Sequence, residues 1–206
     1  MKKAMILAAM ALTFSACNRA EKANEKMDHS MSHQSPKTEN VMMKAMDESM
    51  MAMHKAKQTG NADYDFASMM VPHHEGAIKM AEALVKQGKS DSLINFSKKV
   101  ILTQKEEVKL LQDFLKTANQ APSKDAIAFK KALDASMMPM MEGMSTAKLT
   151  NDIDKDFVAL MIPHHESAVD MAKAYLPFAK DGSIKMLAEQ IIKAQSDEIG
   201  WLKKQQ

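Results

Sequence analysis

From about residue 40 to the C-terminus, apolar residues recur every three or four positions, the period of a helix with one buried face. Six helices are predicted, over roughly 40–58, 64–87, 91–117, 124–144, 152–179 and 183–204. Breaks fall at Gln58-Thr59-Gly60-Asn61 and Gly88-Lys89-Ser90. Asp63, Ser90, Ser123 and Ser183 are placed to cap helix N-termini, and Gly88 to stop the second helix. Pro72 and Pro163 lie inside the second and fifth helices, where a proline removes a donor and is expected to kink the helix or end its first turn.

The same pattern repeats itself. Residues 63–81 (DYDFASMMVPHHEGAIKMA) recur as residues 154–172 (DKDFVALMIPHHESAVDMA), 91 positions later. That offset also carries Gln104 onto Gln195, Glu107 onto Glu198 and Leu111 onto Leu202. Upstream, Lys44–Met53 matches Lys131–Met140 at an offset of 87. The chain therefore reads as a tandem duplication of a three-helix unit, 39–119 and 120–206. The fold class is all-α: a helical bundle, packed either as one body or as two small ones. Composition agrees, with only 5% aromatic residues, six Gly and six Pro in 206 residues.

Ahead of the helices, Lys2 and Lys3 precede a short apolar run ending in Ser15-Ala16-Cys17. The run is too short to span a bilayer and reads as a lipoprotein signal peptide, 1–16, with Cys17 as the lipidated residue. This predicts a protein anchored by lipid on the periplasmic face of a bacterial membrane, the outer membrane in particular. The polar stretch 17–38 reads as a flexible tether. Removing the signal takes away two lysines, so 26 basic residues face 26 acidic ones. Without a net positive charge or a basic patch, nucleic acid is not an expected partner. A single cysteine excludes an intrachain disulfide and a C-x-x-C site.

The candidate chemistry lies on the helix faces. At about 100° per residue, Phe66, Met70, His73, Ala77, Met80 and Leu84 share one stripe, with His74 at its edge and Glu75 opposite. The second copy repeats this with Phe157, Met161, His164, His165 and Met171. In the first helix Met42, Met46, Met50 and Met53 share a face, with His54 beside them; its counterpart carries Met137, Met140 and Met141. Any one Met is best read as an adaptable core side chain. The ensemble is different: 22 Met less three in the signal leaves 19 in 190 residues, in a class of helix that normally favours Leu. Thioethers are neutral ligands that select soft monovalent ions, and imidazole strengthens such sites. Copper(I) is the expected metal, with silver(I) of the same preference. Met27, His29, Met31 and His33 alternate in the tether and can close around an ion in the same way. Gln104 and Glu107, like Gln195 and Glu198, fall on the apolar stripe of their helices and need buried partners, which the histidine rings can supply from outside the coordination shell. Because each copy carries its own set, two separate, similar sites are predicted.

At MVPHHEGAIKMA and its copy the chain closely resembles the domain-of-unknown-function 305 family, exported bacterial helical proteins grouped with ferritin-like bundles. The resemblance covers nearly all of residues 40–204. It implies that His73-His74 and His164-His165 are the family's histidine pair, with Met80 and Met171 as its following methionine. Some periplasmic members are associated with copper binding and copper resistance. It implies sequestration or buffering of metal, with a copper-trafficking protein as a partner. Ser167 stands where the family often has Gly. Two rival readings are a ferritin-like di-iron oxidoreductase and a structural or partner-binding bundle without metal. The first needs Glu-x-x-His motifs. None occurs in the chain, and no other catalytic constellation does, so the protein reads as a non-enzyme.

Overall fold

The structure, a computed structural model, describes residues 40–206. It holds six helices: α1 (Val41–Lys55), α2 (Ala62–Gln87), α3 (Asp91–Thr117), α4 (Ala126–Thr146), α5 (Ile153–Tyr175) and α6 (Gly182–Leu202). One 3-10 turn, Leu176–Phe178, follows α5. Among the described residues there is no strand, and no helix is long and apolar enough to cross a membrane. The fold is an all-α bundle of two tandem three-helix sets. The signal, the tether, Cys17 and the tether ligands Met27, His29, Met31 and His33 lie outside the described residues.

Side-chain oxygens close the helix starts. Asn40, Asn61, Asp152 and Asp181 each accept two backbone N–H groups at the head of α1, α2, α5 and α6, and Ser90 accepts one at α3. Asp63, expected as a cap, is instead a buried helical residue. Its carboxylate accepts the Tyr175 hydroxyl at 2.5 Å and the Lys180 N–H at 2.9 Å, tying the head of α2 to the loop before α6. Its repeat partner Asp154 accepts the Lys89 and Ser90 N–H groups before α3. Ser183 lies inside α6 and gives way as cap to Asp181, while α4 begins after Asp125 without a side-chain cap, the Ala126 N–H bonding the Ser123 carbonyl at 3.1 Å. Gly88 ends α2, its N–H bonding Leu84 O at 2.7 Å. α5 stops at Tyr175, short of the predicted 179, since Pro177 tightens the chain into the 3-10 turn.

A second pair of repeated carboxylates fixes the loops. Asp65 accepts from Thr59 N at 2.6 Å and Gly60 N at 2.9 Å, and Asp156 accepts from Thr150 N at 2.7 Å and Asn151 N at 2.9 Å. Gly60 and Asn151 are left-handed at φ 83° and 64°, a conformation those two residue types tolerate.

The described residues form one body in which α2 and α5 are the inner helices: α1 and α3 pack on α2, α4 and α6 on α5, and α2 on α5. The core divides in two. One half joins Ala77, Met80, Ala81 and Leu84 of α2 to Phe157, Val158, Leu160 and Met161 of α5. The other joins Ala62, Phe66, Ala67 and Met70 to Ala168, Met171, Ala172 and Tyr175. The late part of each inner helix thus meets the early part of the other, so they run antiparallel and the histidine pairs fall where the two core halves adjoin. Both helices run unbroken through Pro72 and Pro163. The Pro72 carbonyl also accepts the Ser49 hydroxyl of α1 at 2.9 Å, which lets α1 dock one turn from the histidines.

Candidate metal site

His73, His74, His164 and His165 are fully buried at the middle of α2 and α5. They are not two groups. The rings of His73 and His164, from different copies, lie 3.9 Å apart between centroids, each 6.1–6.2 Å from the following ring of its own pair. The four imidazoles form one layer, because antiparallel inner helices carry equivalent residues to a common crossing.

The layer is short of hydrogen bonds. Nε2 of His73 meets Oγ of Ser167 at 2.6 Å. The other seven ring nitrogens have no hydrogen-bond partner. Two carboxylates stand close: Oε2 of Glu107 is 2.8 Å from His74 Nε2, and Oε2 of Glu198 is 2.9 Å from His165 Nε2. Each carboxylate thus stands at ion-pair distance from one ring nitrogen of its histidine. Gln104 and Gln195 are buried with their carbonyl oxygens unpartnered. Burial holds the imidazoles of His73 and His164 well below the ordinary histidine value, and the neighbouring rings add to the effect, chiefly His164 on His73 and His165 on His164. These two rings are neutral at physiological pH and have lone pairs to offer.

Thioethers bracket the imidazoles on both sides. Met46, Met80, Met140 and Met161 line one core half, and Met53, Met70 and Met171 the other. Each half mixes methionines of both copies. The remaining predicted ligands are elsewhere. His54 is exposed, its Nδ1 bonded to Met50 O at 2.9 Å, since it stands one residue round the helix from the inward face of Met42, Met46, Ser49 and Met53. Met50, Met137 and Met141 are half-buried. Among the described residues no three His, Cys, Asp or Glu side chains group as a metal cluster, so a metal here would depend on sulfur as well as imidazole.

Two residues of the layer were not recognised as site residues from sequence. Ser167 holds a histidine of the other copy, and Gly76, its repeat equivalent, leaves room that a Cβ would fill: such an atom would stand 2.5 Å from Ser49 Cβ and 3.3 Å from His164 Nε2. Only the departure of Ser167 from a glycine position hinted at this. The two carboxylates also differ in access. The Glu198 side chain is 25% exposed against 11% for Glu107, because Glu198 borders a cleft of about 320 Å³ walled by the stacked rings of Phe96 and Trp201.

The chain matches the family described as domain of unknown function (DUF305) over residues 8–115 and 99–205. No curated protein matches it. Among solved structures it is similar to CopM in the Ag-bound form (28% identity, TM-score 0.53), covering 69% of this chain and 92% of that one. CopM in the Cu(II)-bound form is similar at 27% identity and TM-score 0.53, and in the Cu(I)-bound form at 29% and 0.51; each match covers 69% of this chain and 93% of the other.

Proposed function

The chain belongs to the DUF305 family, and from that premise we propose that it is a binding protein for soft monovalent metal, copper(I) first and silver(I) second. Its site is the buried layer of His73, His74, His164 and His165 with the methionines on either side. One observation carries this reading: five ring nitrogens lie in the core with neither a hydrogen bond nor a carboxylate beside them. Leaving a buried donor or acceptor unsatisfied costs about 1–3 kcal/mol each, so a core that keeps several has a use for them. Ligation supplies the missing partner without placing a charged side chain inside. The layer suits the ion: two rings held neutral by burial and several neutral thioethers match a soft monovalent cation better than a hard one. Glu107 and Glu198 orient His74 and His165 from outside the coordination shell and balance the ion's charge.

The relatives bound to silver and copper support this reading, and the buried thioethers favour the monovalent state for this chain. Its role is sequestration or buffering, contributing to copper resistance, at the periplasmic face of the outer membrane with Cys17 as lipid anchor and a copper-trafficking protein as partner. No observation favours a ferritin-like di-iron centre: Glu75 is exposed and Glu166 is paired with Lys203. The test is Cu(I) titration of the metal-free protein against a competing chelator under reducing conditions. Replacing all four histidines by Leu should weaken binding by at least about 100-fold, the order seen when the partners of a metal site are removed. Unchanged affinity in that variant would refute an imidazole site.

A further inference from the structure

The methionines of the outer helices extend beyond the faces that packing buries. On α1, Met46 and Met53 are at most 2% exposed, Met50 is half-buried and Met51 is 55% exposed. On α4, Met140 is 2% exposed, Met137 and Met141 are half-buried and Met138 is 61% exposed. The offset of 87 that relates the two helices carries Met50 onto Met137, Met51 onto Met138 and His54 onto Met141. Both copies therefore present three soft donors at i, i+1 and i+4, in which the third lies one turn on from the other two, at i+4 from the first and i+3 from the second, the spacings at which side chains of neighbouring turns meet.

An isolated exposed Met is ordinary. These two occupy the same repeat position, each beside a half-buried thioether and a third donor. His54 adds a separate indication. Its Nδ1 is 2.9 Å from the carbonyl of Met50, which makes Nδ1 the protonated nitrogen and leaves Nε2 with a free lone pair. Fixing one ring nitrogen on a backbone carbonyl so that the other can ligate is how histidine is commonly set to hold a metal. Met50 and Met51 stand four and three residues before His54 on α1, so the ring lies one turn on and between them around the helix.

We infer that the protein has two surface sites for the same soft monovalent ion, one of Met50, Met51 and His54 on α1 and one of Met137, Met138 and Met141 on α4. Both are distinct from the buried layer and exchange ions with solvent. The inference rests on the metal-binding reading above and adds what that reading lacks, a place where an ion can be held before it reaches a fully buried layer. Met50 packs against one core half and Met137 against the other, so on each helix a half-buried thioether stands between the exposed sulfur and the core. The sites are unequal in kind, two thioethers and an imidazole against three thioethers.

The experiment uses the full chain, silver nitrate as a redox-inert probe and ¹³C-methyl-methionine NMR, followed by stopped-flow removal of silver with a chelator. The Met51 and Met138 methyl signals should shift at low silver, and release should show a fast phase of two equivalents beside a slow buried phase. M51L with H54Q should lower the fast phase from two equivalents to one, and adding M137L, M138L and M141L should abolish it while the slow phase persists. Leu keeps the volume of Met and removes the sulfur. A fast phase undiminished in the fivefold variant, or Met51 and Met138 signals that stay in place while the buried methionines shift, would overturn the inference. A fast phase that responds to these substitutions in a protein with no slow phase would uphold the surface sites and remove the buried one.

Discussion

Acid should destabilise the metal-free protein in a window where few other groups titrate. His73 and His164 are fully buried, 3.9 Å apart, and held well below the ordinary histidine value by burial first and by neighbouring imidazoles second. In the unfolded chain they titrate near 6.5. The folded state therefore binds fewer protons than the unfolded state below that pH, and stability falls as pH falls. Each ring contributes a slope of at most about 1.4 kcal/mol per pH unit, and at most about 2 kcal/mol between pH 7.5 and 5. Together they remove at most about 4 kcal/mol, against the 5–15 kcal/mol typical of a folded domain. For a protein of this size that ceiling is a drop in melting temperature of roughly 8–16 °C. The carboxylates held low act elsewhere: Asp113 sits at about 2 through its bonds to Lys109 and Lys116, Glu48 is lowered by its bond to Lys79, and Asp181 by the Ser183 hydroxyl. Their contributions are present above the ordinary carboxylate value and are lost only at more acid pH. The assay is urea unfolding of chelator-treated protein between pH 7.5 and 5, on wild type and on His73→Met, His164→Met and the double variant. The slope should fall in each single variant and fall further in the double. A flat wild-type profile, or a double variant as acid-sensitive as wild type, would show that these rings are not the buried neutral bases described above.

Ser167→Ala should cost about 1–3 kcal/mol in urea unfolding, since it strips His73 Nε2 of its hydroxyl partner inside the core. Gly76→Ser, which makes the first copy resemble the second, should destabilise by about 1–3 kcal/mol or more because its Cβ would stand 2.5 Å from Ser49 Cβ. Ser49→Gly in the same chain should recover part of that loss, and full additivity of the two changes would refute the contact. Leu111, fully buried, should lose about 2–5 kcal/mol on truncation to Ala with Cu(I) affinity little changed, whereas His73→Ala, which gives up the same Ser167 contact, should cost about 1–3 kcal/mol and weaken Cu(I) affinity as well.

The helices were legible because their apolar faces repeat at the helical period, and five of the six begin and end within about three residues of expectation. The stops were less so. Asp63 has the local look of a cap, yet its carboxylate is engaged by Tyr175, 112 residues away, and no local pattern encodes such a partner. The placement of His73, His74, His164 and His165 on inward faces was readable from spacing, as was the nearness of Glu107 and Glu198 to a histidine. The joining of the copies was not. Internal homology shows that two sets of residues are alike, but only the antiparallel packing of α2 on α5 determines that Met80 shares a core half with Met161, and Met70 with Met171. His54 shows the opposite limit: a residue one step from an apolar stripe turns outward when its ring finds a carbonyl on its own helix.

The departure at Ser167 has a physical origin in how the outer helices dock. In the first copy α1 approaches α2 so closely at Ser49 that position 76 must be glycine. In the second copy the close approach has moved to the outer helix, where a Cβ on Gly143 of α4 would stand 2.8 Å from Pro163 Cβ. With the small residue on α4, position 167 of α5 is released from the steric demand that holds position 76, and a hydroxyl there reaches the histidine of the other copy. The duplicated halves are consequently inequivalent at their point of contact. His73 offers a soft ion only Nδ1, its Nε2 being engaged by Ser167, whereas His164 keeps both ring nitrogens unbonded with the space beside Gly76 before it. The two central imidazoles therefore differ in the lone pairs they keep open, an arrangement that a symmetric pair of glycines or a symmetric pair of serines would not produce.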